Sequence, residues 1–269
     1  MSFFYKASNI KDNVSFKDNI LIWPALTLGN VGQLSIDLLI CTYKFERVGF
    51  IVDSNILPIV GNDTYTPKGQ GVLSTSIEVY KSKEYQNVTL VQQRSPVIQG
   101  HIPIFAKNLM NWSTSQQFKE ILFVASTNAN KRIDSQLTGN QLRFIKSNTI
   151  SNETLDKIKL NNIPEMEVQF EQAGEIVQLS NRLTGLGKEL YNLCNNQQDT
   201  NTTSTQNTPF LCFNLFCSEG DNTMESMAMA HTLAVYLDIC KNPTEKIPFV
   251  TPPSWALLYG PSFDQSLYF

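Results

Sequence analysis

The sequence predicts a layered α/β/α sandwich built on a mixed, partly parallel central sheet. Three observations predict it. A short apolar run, Ile20 to Leu28, is followed by a glycine turn, a helical stripe and a second apolar run, the pattern of a strand–helix–strand crossover. Two segments of period-two alternation flank a short polar connection, as in an antiparallel hairpin. A strongly apolar run, Phe210 to Phe216, leads through a polar turn into a long helical pattern.

Each element has its own justification. Residues 20–28 (ILIWPALTL) are short and apolar throughout, as a strand covered on both faces must be. After the turn Gly29-Asn30-Val31-Gly32, the residues Val31, Leu34, Leu38, Cys41 and Phe45 recur at helical spacing. Ile36, Leu39 and Ile40 widen the stripe, so this helix is expected to be covered on most sides. Arg47 to Asp53 returns as a strand, expected to pair in parallel with the first. Val72 to Tyr80 and Val88 to Arg94 form the hairpin around KSKEYQN. Pro103 suits the first turn of a helix in which Phe105, Leu109 and Trp112 share a face. Ile121 to Ala125 is a further strand. Residues 137–170 read as irregular, apart from a short helix around Glu153 to Lys159.

Residues 195–208 (NNQQDTNTTSTQNT) contain no large apolar side chain to offset their ordering entropy, which predicts a disordered insert. The helix expected over Asn222 to Lys241 starts with Asn222 and Glu225 at capping-box spacing. Met229, Leu233, Tyr236, Leu237 and Cys240 form its buried stripe. A Pro-rich stretch follows (Pro243, Pro248, Pro252, Pro253), with a flexible tail expected at 261–269. The whole is read as one domain, residues 1–269.

Composition narrows the function. The 269 residues are 42% hydrophobic and only 17% charged, with a formal net charge of −3, which gives no broad basic footprint for nucleic acid or anionic membrane. No run approaches the roughly eighteen apolar residues of a membrane span, and MSFFYKASNIKDN lacks the apolar core of a secretory signal. Five Cys form no disulfide framework, so reduced thiols in a cytosolic protein are expected.

Catalytic chemistry has little to work with. His101 precedes the helix-opening Pro103, and His231 lies two helical turns before Asp238, a spacing that suits a solvated face. There is no G-x-S-x-G elbow and no triad context, so no catalytic residue is assigned. Cys212 and Cys217 are placed on opposite faces of one strand, which leaves no metal set and no cofactor. The Gly29–Gly32 turn opens a helix and could hold an anion on backbone N–H groups, though a tight turn using the glycines' positive φ is the simpler account. Glu219 and Asp221, where a strand ends and a helix begins, could serve acid/base chemistry or merely complement the helix dipole. These two features together support an alternative reading, a nucleotide- or nucleoside-binding α/β enzyme. The sequence ends Leu267-Tyr268-Phe269, a hydrophobic residue, Tyr and a last residue with its carboxylate, which suits insertion into a partner's pocket.

A set of blocks resembles the proteasome assembly chaperone 2 family. These are Trp23-Pro24-Ala25, Gly29-Asn30-Val31-Gly32-Gln33-Leu34, Asp37 to Ile40, Gly49-Phe50 to Asp53, and Leu57 to Asp63. Glu78-Val79-Tyr80, Gln92-Gln93-Arg94-Ser95, Ser218-Glu219-Gly220-Asp221-Asn222, Pro253-Ser254-Trp255 and Leu258-Tyr259-Gly260 continue it. They arrive in family order over residues 20–260, while 195–208 departs from the pattern. The resemblance implies a non-enzymatic chaperone of the cytoplasm, and also of the nucleus. It implies a heterodimer with proteasome assembly chaperone 1 that binds α subunits of the 20S proteasome and aids α-ring formation. It further implies that Leu267, Tyr268 and Phe269 dock between α subunits, and that Gly29, Asn30, Gly32, Glu219, Gly220, Asp221 and Asn222 are turn residues of the fold.

Overall fold

The computed structural model describes residues 3–66, 71–172, 175–179, 183–195, 207–257 and 266. The chain begins with β1 (Phe4–Lys6), β2 (Ile20–Pro24), α1 (Val31–Thr42), β3 (Glu46–Ile51), β4 (Val60–Asn62) and β5 (Leu73–Thr75). It continues through β6 (Ile77–Lys81), β7 (Val88–Gln93), α2 (Ile102–Ser115), β8 (Glu120–Asn128) and β9 (Leu142–Lys146). Then come α3 (Asn152–Leu160), β10 (Gln169–Gln172), β11 (Glu175–Gln178), α4 (Gly185–Asn195), β12 (Phe210–Cys217) and α5 (Thr223–Tyr236).

Eight strands form one sheet in the order β1-β3-β6-β7-β2-β8-β12-β9. Four consecutive strands, β7, β2, β8 and β12, run parallel, and the pairings beyond them, through β6, β3 and β1 on one side and β9 on the other, are antiparallel. The pleat divides β2: Ile20 and Ile22 face a core with α1 and α5, whereas Leu21 and Trp23 face the opposite core with α2 and α4. With helices on both faces, the parallel strands are buried end to end, which is why they read as continuous apolar runs. The expected layered sandwich with a mixed sheet is the fold observed.

Several elements differ from expectation for local reasons. β2 stops at Pro24 rather than Leu28, because Thr27 turns aside to exchange hydrogen bonds with Ser126 and residues 28–30 wind into a 3₁₀ turn. β3 runs parallel to β2 but does not pair with it; the β6–β7 hairpin lies between them. A crossover pattern sets strand direction and leaves the neighbour open. The run expected over 72–80 divides at Ser76, with β5 joining β4 in a separate hairpin. Within residues 137–170 the structure places β9, an edge strand whose apolar pattern is broken by a buried Arg143 paired with Glu167. α4, for which the sequence reading offered no element, packs beside α2 on the same face of the sheet.

The last helix ends at Tyr236, short of Lys241, and Asp238 adopts φ +58° beyond it. Leu237 and Cys240 are nonetheless buried with the rest of the expected stripe. The capping box does not form. The Asn222 amide turns back to donate to the carbonyls of Ser218 and Gly220, and Asp221 Oδ1 accepts from the Thr223 N–H instead. Of the expected insert, 196–206 lies outside the described residues; its flanks are bonded, with Thr208 N–H donating to Thr114 Oγ1 and Asn207 to the Leu193 carbonyl. The expected tail lies outside them too, except for Ser266.

Candidate functional site

The carboxyl ends of β2, β8 and β12 bring two distant turns together. Gly29 (φ +66°) and Asn30 (φ +53°) turn the chain through the left-handed region into α1. A Cβ on Gly29 would sit 2.3 Å from Nδ2 of Asn222, so the two blocks GNVG and SEGDN are packed into each other. Gly32 serves a different need: a Cβ there would lie 2.6 Å from the Val124 carbonyl oxygen, so its absence lets α1 approach β8. The Ser126 hydroxyl donates to the Leu28 carbonyl, and Ser35 donates to the Ser226 carbonyl at 3.0 Å, tying α1 to α5. Ser226 in turn donates to the Asn222 carbonyl at 2.7 Å.

Of the residues predicted for a site, Gly29, Asn30, Gly32 and Asn222 therefore lie in one seam, whereas Glu219, Gly220 and Asp221 sit on its exposed rim. Leu267, Tyr268 and Phe269 lie outside the described residues. The seam bears on the anion-binding reading. Backbone approach to a phosphate needs open space over the glycine, and here the nearly fully buried Asn222 side chain fills it.

The other candidate groups do not converge. His231 Nε2 meets the Glu245 carbonyl rather than Asp238, which pairs with Lys157. His101 Nδ1 lies 2.8 Å from Asn55 Oδ1 on the opposite face. Cys212 and Cys217 point into the two separate cores, as their spacing predicts. Among the described residues no three His, Cys, Asp or Glu side chains are grouped to hold a metal.

A polar cluster that residue-by-residue reasoning missed is centred on Asp37, which is 3% exposed in the middle of α1. Its Oδ1 accepts from Tyr65 (2.7 Å), Gln92 (2.6 Å) and Arg94 (2.9 Å), and Oδ2 faces the Trp255 indole N–H at 3.5 Å. Burial first, and then the Asp37 charge, hold the Tyr65 hydroxyl well above its usual range. Burial opposes the charge on Arg94, but Asp37, Tyr65 and Tyr80 together outweigh it and hold the guanidinium above its usual range. A further bond, Trp23 Nε1 to Gln93 Oε1 at 2.8 Å, reaches the other face. The available signal was an aspartate inside an apolar helical stripe and a polar QQRS block closing an apolar strand.

An apolar cavity of about 170 Å³ opens between the first turns of α2 and α4, lined by Ala25, Leu26, Val97, Ile102, Phe123 and Leu186 among others. It has room for an apolar side chain. The fold and these sites define a class: an α/β/α scaffold whose polar residues near the strand ends are engaged in fastening its own loops.

Comparison with known proteins makes the class particular. The sequence model of the PAC2 family matches residues 21–207, and the chain belongs to that family. It is 33% identical to Proteasome assembly chaperone 2 of Danio rerio over 94% of this chain and 96% of the relative. It is 31% identical to Proteasome assembly chaperone 2 of Nematostella vectensis over 88% and 96%. The fold resembles that of Pyrococcus furiosus PbaA, an archaeal homolog of proteasome-assembly chaperone (TM-score 0.57, 12% identity, 83% of each chain covered). It also resembles Pyrococcus furiosus PbaB, an archaeal proteasome activator (TM-score 0.57, 12% identity, 91% and 93% covered). At these identities the structural likeness speaks for the fold alone.

Proposed function

We propose that this chain is a proteasome assembly chaperone that acts through surfaces, needing neither catalytic residue nor cofactor. The observation that carries the reading is the end-to-end match to relatives named for that role, at 33% identity over 94% of the chain. The local geometry agrees with it. The residues that mark the family blocks, Gly29, Asn222, Asp37, Arg94 and Trp255, are spent on joining loops to helices, as a scaffold requires.

In the finer reading the chain pairs with proteasome assembly chaperone 1, and the heterodimer binds 20S α subunits while the α ring forms. Leu267 and Tyr268 enter a pocket between neighbouring α subunits, where the Phe269 carboxylate meets a cation. The work is done in the cytoplasm and nucleus; no described helix is long and apolar enough to cross a membrane. A tagged full-length chain purified from its own cell extract is expected to bring down α subunits and a second chaperone. A chain lacking 267–269 is expected to keep the second chaperone and lose most α subunits. Recovery of neither partner by the full-length chain overturns the reading.

A further inference from the structure

After α5 the chain doubles back across α1 as an irregular strap, residues 242–257. The described part of it joins no sheet. Its backbone bonds are local, from Glu245 to Asn242, Phe249 to Ile247 and Trp255 to Pro252. It is fastened to the body by few points. Ile247, Phe249 and Trp255 pack on the α1–α5 core while most residues between them are exposed. His231 meets the Glu245 carbonyl, and the Val250 N–H donates to Thr42 Oγ1, each at 3.0 Å. At its far end Trp255 reaches the buried Asp37. A segment with few buried apolar contacts and an exposed backbone opens at lower free energy than the sheet and helices beneath it.

We propose that Trp255 and Asp37 form the latch of this strap, and that the latch holds the chain to the body twelve positions before Leu267. Both are positioning residues. The inference rests on the tail-docking reading above and adds how that tail is aimed. Three of the four donors at Asp37 come from the body and hold the carboxylate in place whether or not the strap is seated. Oδ2 is left facing the indole, so the anchor is preformed and the strap closes onto it. Holding residue 255 places a fixed point 12 positions before Leu267, and a fixed point near a docking motif in sequence keeps the motif's effective concentration at its pocket high. With the strap loose, the nearest fixed point moves back to the end of the α5 region, the separation in sequence roughly doubles and that concentration falls.

The test uses the full-length chain co-purified with its partner chaperone and purified 20S core particles as the probe. Trp255→Phe removes the indole N–H while keeping a ring; Trp255→Ala removes both. Amide hydrogen exchange in residues 245–257 is expected to quicken by about tenfold in Trp255→Ala and less in Trp255→Phe, with α1 and β7 amides unchanged. Core-particle affinity is expected to fall a few-fold in Trp255→Ala, and not to fall further when 267–269 are already deleted. An equal loss in the tail-less background, or unaltered strap exchange, overturns the latch as a positioning device. Unchanged affinity on deleting 267–269 alone instead overturns the tail reading, and the aiming role with it.

Discussion

Under α2 and α4 the sheet is covered by rings: Phe3, Phe4, Phe16, Trp23, Phe105, Trp112 and Phe118 meet at centroid distances of 5.0 to 6.2 Å. Under α1 and α5 the same sheet is covered mainly by aliphatic side chains, with separate aromatic pairs such as Tyr65–Tyr80 and Phe213–Tyr236 and with buried polar groups among them, Asp37, Ser35, Ser226 and Asn222. The two faces bury comparable apolar material but restrict the sequence differently. A ring cluster asks for volume and shape and accepts substitutes of similar size. A buried carboxylate or amide asks for particular donors at particular places, because an unmatched one costs its full desolvation. Of the blocks that mark the family, Gly29 to Leu34, Asp37 to Ile40, Ser218 to Asn222 and the block ending in Trp255 fall on the polar face and its seam, while Trp23 and Ala25 face the rings.

The largest expected effect breaks the polar face. Asp37→Ala leaves Arg94 and Tyr65 without their acceptor, and removal of one partner of a buried ion pair costs about 3–5 kcal/mol. Urea unfolding monitored by tryptophan fluorescence measures it. A loss below about 1 kcal/mol would mean that water replaces the carboxylate and that this face is less demanding than its geometry implies. Next comes the seam. Gly29→Ala meets both the strain of φ +66° and the Asn222 side chain, and is expected to cost about 2–3 kcal/mol. Gly71→Ala is its control, with φ +76° and open space around it, so it carries the backbone strain of about 1–2 kcal/mol without the contact. Equal losses at the two glycines would dissolve the seam.

The aromatic face should give more easily. Phe105→Leu, fully buried among Phe3 and Trp23, is expected to cost less than about 1.5 kcal/mol, since neighbouring rings can shift into the space. A loss matching that of Asp37→Ala would abolish the contrast between the faces.

The same contrast explains what was legible in the sequence. The runs 20–28 and 210–216 announce strands because parallel strands buried on both faces are apolar at every position. The stripe Val31 to Phe45 announces its helix for a similar reason. β9 escaped notice because Arg143, buried against Glu167, interrupts an edge strand with a charge whose partner is far along the chain. Neighbour order escaped too, since the β6–β7 hairpin enters between β3 and β2 by long-range pairing that no local pattern records. Asn222 and Glu225 carried capping-box spacing, yet the Asn222 amide is used within its own turn, on the carbonyls of Ser218 and Gly220. Asp37 had a visible identity, but its partners lie 28 to 218 positions away, and only the fold supplies them.

The smallest effect sharpens the comparison by asking how tightly each face is sealed. Burial pushes the thiols of Cys194, against α2, and of Cys41, beside Asp37 on α1, up to about 12; at Cys41 the Asp37 charge adds to burial. In the unfolded chain both ionise near the ordinary value of 9. The folded state therefore binds more protons above that value, so stability is intact below pH 9 and falls as pH rises from 9 towards 12. The slope per fully sealed thiol is at most about 1.4 kcal/mol per pH unit. Cys194→Ala is expected to flatten the alkaline limb of stability by roughly that slope, and Cys41→Ala by clearly less, because Cys41 is partly open to solvent. Urea midpoints at pH 7, 9 and 10.5 for the two variants and the parent chain measure it. An unaltered limb in Cys194→Ala would mean that α4 lifts readily from the sheet and that the aromatic face, tolerant in sequence, is also loosely closed.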